Sequence, residues 1–112
     1  MRRLGWVAGA LALALTGGAA LAQDDDARAR QIIGGSCFLC HGAEGESASE
    51  VFPRLAGQNA EYIAKQLENF KSGKRKSSAM APMVAELSPD DMAALGRFYG
   101  SRPPHKEAPK DA

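Results

Sequence analysis

Cys37-Phe38-Leu39-Cys40-His41 is the stretch on which the rest of this chain depends. Two thiols three positions apart, followed at once by an imidazole, form the spacing of a covalent haem attachment site. On one helical turn, residues three and four apart stand on the same face. Both sulfurs can therefore reach two neighbouring vinyl groups of a porphyrin. His41, four residues after Cys37, can then turn beneath the macrocycle and offer a ring nitrogen to the iron. Cys-x-x-Cys alone is also used by zinc sites and dithiol redox enzymes, and the added histidine separates this site from them.

The 112-residue chain holds one expected domain, and its beginning does not belong to it. Arg2 and Arg3 precede an apolar run from Leu4 to Leu21, and Ala20-Leu21-Ala22 carries small residues where a signal peptidase reads. The expected organisation is a leader over residues 1–22, cleaved after Ala22, then a domain over 23–101 and a flexible tail over 102–112. The leader is rich in Ala and Gly and marginal in length for a span, so export to the periplasm is expected rather than stable membrane insertion. Loss of Arg2 and Arg3 leaves 12 basic residues against 13 acidic, a formal charge of about −1. That balance excludes nucleic acid as a partner recognised by bulk charge. About 90 mature residues bury only a modest core unaided, so a haem at the centre would supply much of the apolar surface to pack against.

Around the motif the elements read as helices and loops. Asp24-Asp25-Asp26 is expected to cap a short helix over Ala27 to Ile33, which Gly34-Gly35 ends. Gly42 to Ser49 is polar and glycine-bearing, hence loop, and Phe52 to Gln58 is an extended segment interrupted by Pro53. Asn59 caps a helix over Ala60 to Ser72, stopped by Gly73, with Tyr62, Ile63, Leu67 and Phe70 on one stripe. Ser88-Pro89-Asp90-Asp91 opens a last helix that buries Met92, Leu95, Phe98 and Tyr99 and leaves room for a neighbour at Gly96. Between these helices lie a basic cluster, Lys71, Lys74, Arg75 and Lys76, and a segment in which Pro82 limits helix. The cluster reads either as a solvated loop or as a docking site for an acidic redox partner.

The second axial position decides whether iron carries electrons or binds small ligands. The candidates are Met80, Met83, Met92 and His105. Met92 sits on the inner face of a helix, where methionine fills space, and His105 lies in the polar tail. Met80 and Met83 remain open on residue chemistry alone.

The residues Cys37 to Gly42, Phe52 to Gln58, Tyr62 to Leu67, Phe70 to Gly73, Met80 to Met83 and Leu87 to Met92 resemble the class I c-type cytochromes. The resemblance is to the small bacterial monohaem carriers and the single-haem halves of dihaem periplasmic cytochromes, and it spans Ala27 to Ser101. It implies an all-α fold, three to four main helices around one covalently bound haem c. It implies Cys37 and Cys40 as the attachment residues, with His41 and Met80 as axial iron ligands and Met83 the alternative to Met80. It also implies that the carbonyl of Pro53 accepts a hydrogen bond from the His41 ring, and that the first and last helices cross at Ala29. Gly34-Gly35 departs from the family pattern. The function implied is a monomeric periplasmic electron carrier between a redox donor and an acceptor, not an enzyme. The alternative is a cytochrome subunit bound permanently to a periplasmic dehydrogenase. A dithiol oxidoreductase would need an alternation of strands and helices that the sequence lacks.

Overall fold

The computed structural model describes residues 17–104 together with Gly5, Gly9 and Ala10, and the side chains of residues 17–24 are not among those described. Five α-helices follow in order: α1 (Gly17–Ile32), α2 (Phe38–His41), α3 (Ala60–Ser72), α4 (Met80–Val84) and α5 (Pro89–Gly100). Among the described residues there is no β-strand, and no helix is long and apolar enough to cross a membrane. Of the expected leader, Gly5, Gly9, Ala10 and residues 17–22 belong to the described part and the rest lies outside it, as does His105.

Two helices follow their end signals closely. The side chain of Asn59 accepts from the Tyr62 N–H at the start of α3, and Gly73 closes it in the left-handed conformation at φ 82°. At the start of α5, Ser88 accepts from the Asp91 N–H while the Asp91 carboxylate accepts from the Ser88 N–H. This reciprocal cap satisfies two otherwise orphaned donors. α5 buries Met92, Leu95, Phe98 and Tyr99, and it packs along α3 and against α1. Gly96 makes the α3 contact possible: a Cβ there would run into the carbonyl oxygen of Ala60. Ala29 on α1 and Ile33 just after it enter the same core.

Three expectations are corrected. The first helix does not begin after the aspartates. It runs from Gly17 through Asp26, with no proline or glycine between Ala19 and Ile33 to stop it. Asp25 and Asp26 pair with arginines instead of capping: Asp25 with Arg97, and Asp26 with Arg30 and Arg102. Gly34-Gly35 does not end the helix either. Ile33–Cys37 forms a π-helical turn, closed by the Phe38 N–H on the Ile33 carbonyl, which carries the chain without a break into α2. Two residues without side chains let the turn widen at little cost in packing, and both are exposed. Lastly, Pro82 does not hold α4 back. It occupies the first turn, where a missing N–H costs nothing, and the Ser77 hydroxyl caps that turn by accepting from the Met80 N–H at 3.0 Å.

The α3 stripe is also narrower than expected. Ile63 is buried and Leu67 and Phe70 pack against the core, but Tyr62 is 50% exposed. Beyond α5, Arg102 is held to the domain. It stacks 4.0 Å over the Phe98 ring, donates to the Phe98 carbonyl, and reaches Asp26 at 3.4 Å and Glu44 at 3.3 Å.

Candidate functional site

α2 is a single turn that places Cys37, Cys40 and His41 at the junction of the π turn and the following loop. Both cysteines are free thiols and half-buried, whereas His41 is buried. Burial pushes the Cys37 thiol above its ordinary range, and burial pushes Tyr99 far higher. The Tyr99 hydroxyl is buried with no hydrogen-bond partner among the described residues.

The loop after α2 returns to the motif. The Ser47 N–H donates to the His41 carbonyl at 2.7 Å, and the Ala48 N–H to the Cys40 carbonyl at 3.0 Å. Six residues further on, Pro53 presents its carbonyl oxygen 2.8 Å from Nδ1 of His41. A carbonyl only accepts, so this contact fixes the tautomer with the proton on Nδ1. Nε2 is left with its lone pair, the form in which imidazole ligates a metal. Such a bond also orients the ring and increases its basicity.

Of the methionines, Met80 is half-buried and packs against the core, Met83 is 43% exposed, and Met92 is core filler with Leu95 and Phe98. Among the sequence-derived site residues, the structure brings Cys37, Cys40, His41 and Pro53 together. It puts Met80 at the first position of a helix rather than on an irregular segment. Sequence reasoning missed Ser47, whose only local signal was its place in a Gly- and Ser-bearing loop.

The basic cluster is set apart from the other charges. Lys71, Lys74, Arg75 and Lys76 are exposed, with no carboxylate among the described residues within ion-pair reach. Lys71 donates to the Leu87 carbonyl, and Arg75 lies over the Phe70 ring and donates to Gln66. By contrast, Asp25, Asp26, Glu44 and Asp91 are matched with Arg28, Arg30, Arg97 and Arg102.

A haem fits this donor set. Two unbridged thiols share one turn, an imidazole is held with Nε2 available, and Phe38 and Leu39, between the two cysteines, stand exposed. Exposed apolar side chains grouped in this way mark a surface made for an apolar partner.

Comparisons with known proteins agree. A family model described as subunit III of cbb3-type cytochrome c oxidase matches residues 24–98. Cytochrome c4 of Pseudomonas aeruginosa is 40% identical over 92 residues, covering 82% of this chain and 45% of its own. Cytochrome c-554(548) of Halomonas halodenitrificans is 34% identical over 80 residues, covering 69% of this chain and 96% of its own. The structure of reduced cytochrome c4 from Pseudomonas stutzeri superposes with a TM-score of 0.64 at 29% identity, over 71% of this chain and 49% of that one. The thiosulfate dehydrogenase TsdBA from Marichromatium purpuratum also reaches 0.64, at 32% identity, over 76% of this chain and 20% of that one. The chain thus spans about half the length of the cytochrome c4 relatives and nearly all of cytochrome c-554(548). The chain belongs to the class I c-type cytochromes, within the family that the matching model describes, and its cofactor is a covalently attached haem c.

Proposed function

We propose that the chain is a periplasmic electron carrier, taking single electrons from one redox protein and passing them to another. The observation that carries this reading is the His41 ring, fixed by the Pro53 carbonyl with Nε2 free, one turn from two unbridged thiols. Haem c supplies the one-electron Fe(III)/Fe(II) couple. Cys37 and Cys40 hold the group covalently, His41 ligates one face, and Pro53 keeps the imidazole oriented in both oxidation states. Met80 is the second axial ligand, and its half-buried thioether against the core favours it over the exposed Met83. With both axial positions filled by protein, no substrate is transformed at the iron.

The domain organisation belongs to the same reading. Cleavage after Ala22 leaves Gln23-Asp24-Asp25-Asp26 as the new start of α1, with acids where the helix dipole favours them. The mature carrier is a monomer over residues 23–101, with Arg102 pinned to it ahead of the tail. Lys71, Lys74, Arg75 and Lys76 form the surface to which an acidic face of a donor or acceptor docks, because they are grouped, exposed and in no ion pair among the described residues.

A second reading is a cytochrome subunit bound permanently to a dehydrogenase, favoured by the superposition on part of TsdBA. A reduced-minus-oxidised spectrum of periplasmic protein, with a pyridine haemochrome assay, tests the carrier. The expected result is a c-type spectrum with haem attached to a polypeptide of the mature mass. Colourless periplasmic protein with free thiols would refute it. Gel filtration of the native extract separates the two readings, since a free carrier elutes near its own mass.

A further inference from the structure

We propose that Ser47 is the positioning residue that holds the Pro53 carbonyl on the His41 ring, and so sets how strongly the axial imidazole donates to iron. The proposal rests on the reading of His41 as an axial ligand.

Ser47 is the one non-glycine residue with positive φ among the described residues, at 72°. A serine held there is strained, so its neighbours must keep it in place. Its hydrogen bonds account for that. The Ser47 N–H donates to the His41 carbonyl at 2.7 Å. Its hydroxyl proton faces two carbonyls, those of Ser49 and Phe52, each 2.6 Å away, and its oxygen accepts from the Ser49 N–H at 3.3 Å. Phe52 directly precedes Pro53, whose own carbonyl accepts from His41 Nδ1 at 2.8 Å. A closed ring results: His41 main chain, Ser47, Phe52, Pro53, and back to the His41 imidazole.

The Phe52–Pro53 peptide has no N–H, so the Phe52 carbonyl held by Ser47 is its only hydrogen-bonding anchor, and the fixed φ of proline carries that placement on to the Pro53 carbonyl. Ser47 reaches both ends of the arrangement at once, the backbone that carries the imidazole and the residue beside the acceptor. Without the hydroxyl, Phe52 is released on this side, the Nδ1–H bond lengthens, and the ring becomes a weaker donor. Weaker donation favours the ferrous state.

The test uses the holoprotein and two variants. Ser47→Ala removes the hydroxyl and keeps the backbone strain, whereas Ser47→Gly removes both. The proposal expects an upward shift of the reduction potential in both variants, with several-fold faster exchange of the His41 Nδ1 proton seen by NMR. If Ser47 matters only through loop strain, the two variants move apart in melting temperature while potential and exchange stay at wild-type values, and the proposal fails. A shift in Ser47→Ala alone overturns it too, because strain would then be the cause. Should the wild-type His41 ring lack the resonance shifts of an iron ligand, the axial reading itself falls and takes the proposal with it.

Discussion

The guanidinium of Arg28 on α1 grips the carboxylate of Asp91 on α5 through two hydrogen bonds, Nε to Oδ1 at 2.8 Å and Nη2 to Oδ2 at 3.2 Å, across 63 residues of sequence. The same carboxylate accepts from the Ser88 N–H in the cap of α5. One side chain therefore joins the first helix to the last and also starts the last. Bonding to Arg28 and to Ser88 lowers its pKa from 3.8 to about 2, against the opposing effect of burial.

That depression sets a pH dependence. A carboxylate whose pKa is lower in the folded state stabilises the fold above its unfolded value and loses that contribution as pH falls. Thermal unfolding should show the Asp91 contribution intact above about pH 4 and vanishing towards pH 2. Asp91→Ala at neutral pH should cost about 1–2 kcal/mol, chiefly through the lost cap, because Arg28 is half-exposed and its attraction is screened. A variant with the wild-type acid transition would show that another group governs it.

Gly96→Ala should destabilise the fold by about 1–3 kcal/mol, since the new methyl group meets the Ala60 carbonyl rather than a movable side chain. Helix propensity alone predicts the opposite sign, a gain of roughly 1 kcal/mol. Denaturant unfolding decides between close packing and propensity.

Met80→Ala should abolish the absorption band of sulfur–iron coordination and lower the reduction potential. Met83→Ala should leave both in place, in keeping with its exposed position. If the two results are exchanged, the ligand role passes to Met83.

Replacing Cys37 and Cys40 together by Ser should make the haem extractable with acidified organic solvent. Wild-type haem should stay with the polypeptide. Retention in the double variant would disprove thioether attachment at these positions.

Lys74→Glu combined with Lys76→Glu should slow reduction by an acidic partner roughly tenfold at low ionic strength, with the difference fading as salt rises. Neither side chain is paired with a carboxylate among the described residues, so melting temperature should stay within about 2 °C of wild type. An unchanged rate would make the cluster a solvated loop.

What could be read in the sequence was local. Asn59 and Gly73 mark both ends of α3, and Ser88-Pro89-Asp90-Asp91 marks the start of α5, because caps act within one turn. Gly96 was legible as a gap on a buried face, and the contact between His41 and Pro53 followed from family likeness. The misreadings came where local signals compete. Gly34-Gly35 carries the propensity of a stop, yet the chain keeps turning because a wider turn there needs no side-chain packing. Pro82 reads as a breaker, but its effect depends on its place within the turn. The long-range pairings, Asp25 with Arg97, Asp26 and Glu44 with Arg102 and Asp91 with Arg28, leave no periodic trace, so only the folded chain reveals them.

The contact between Asp26 and Arg102 has an architectural consequence. Asp26 lies within α1 and Arg102 just past α5, so with cleavage after Ala22 as proposed the mature unit would start and end near one corner, and a second unit could be joined in tandem through a brief connector without disturbing either interior. Duplication is then topologically easy for such a module, which suits relatives such as cytochrome c4 that are about twice as long.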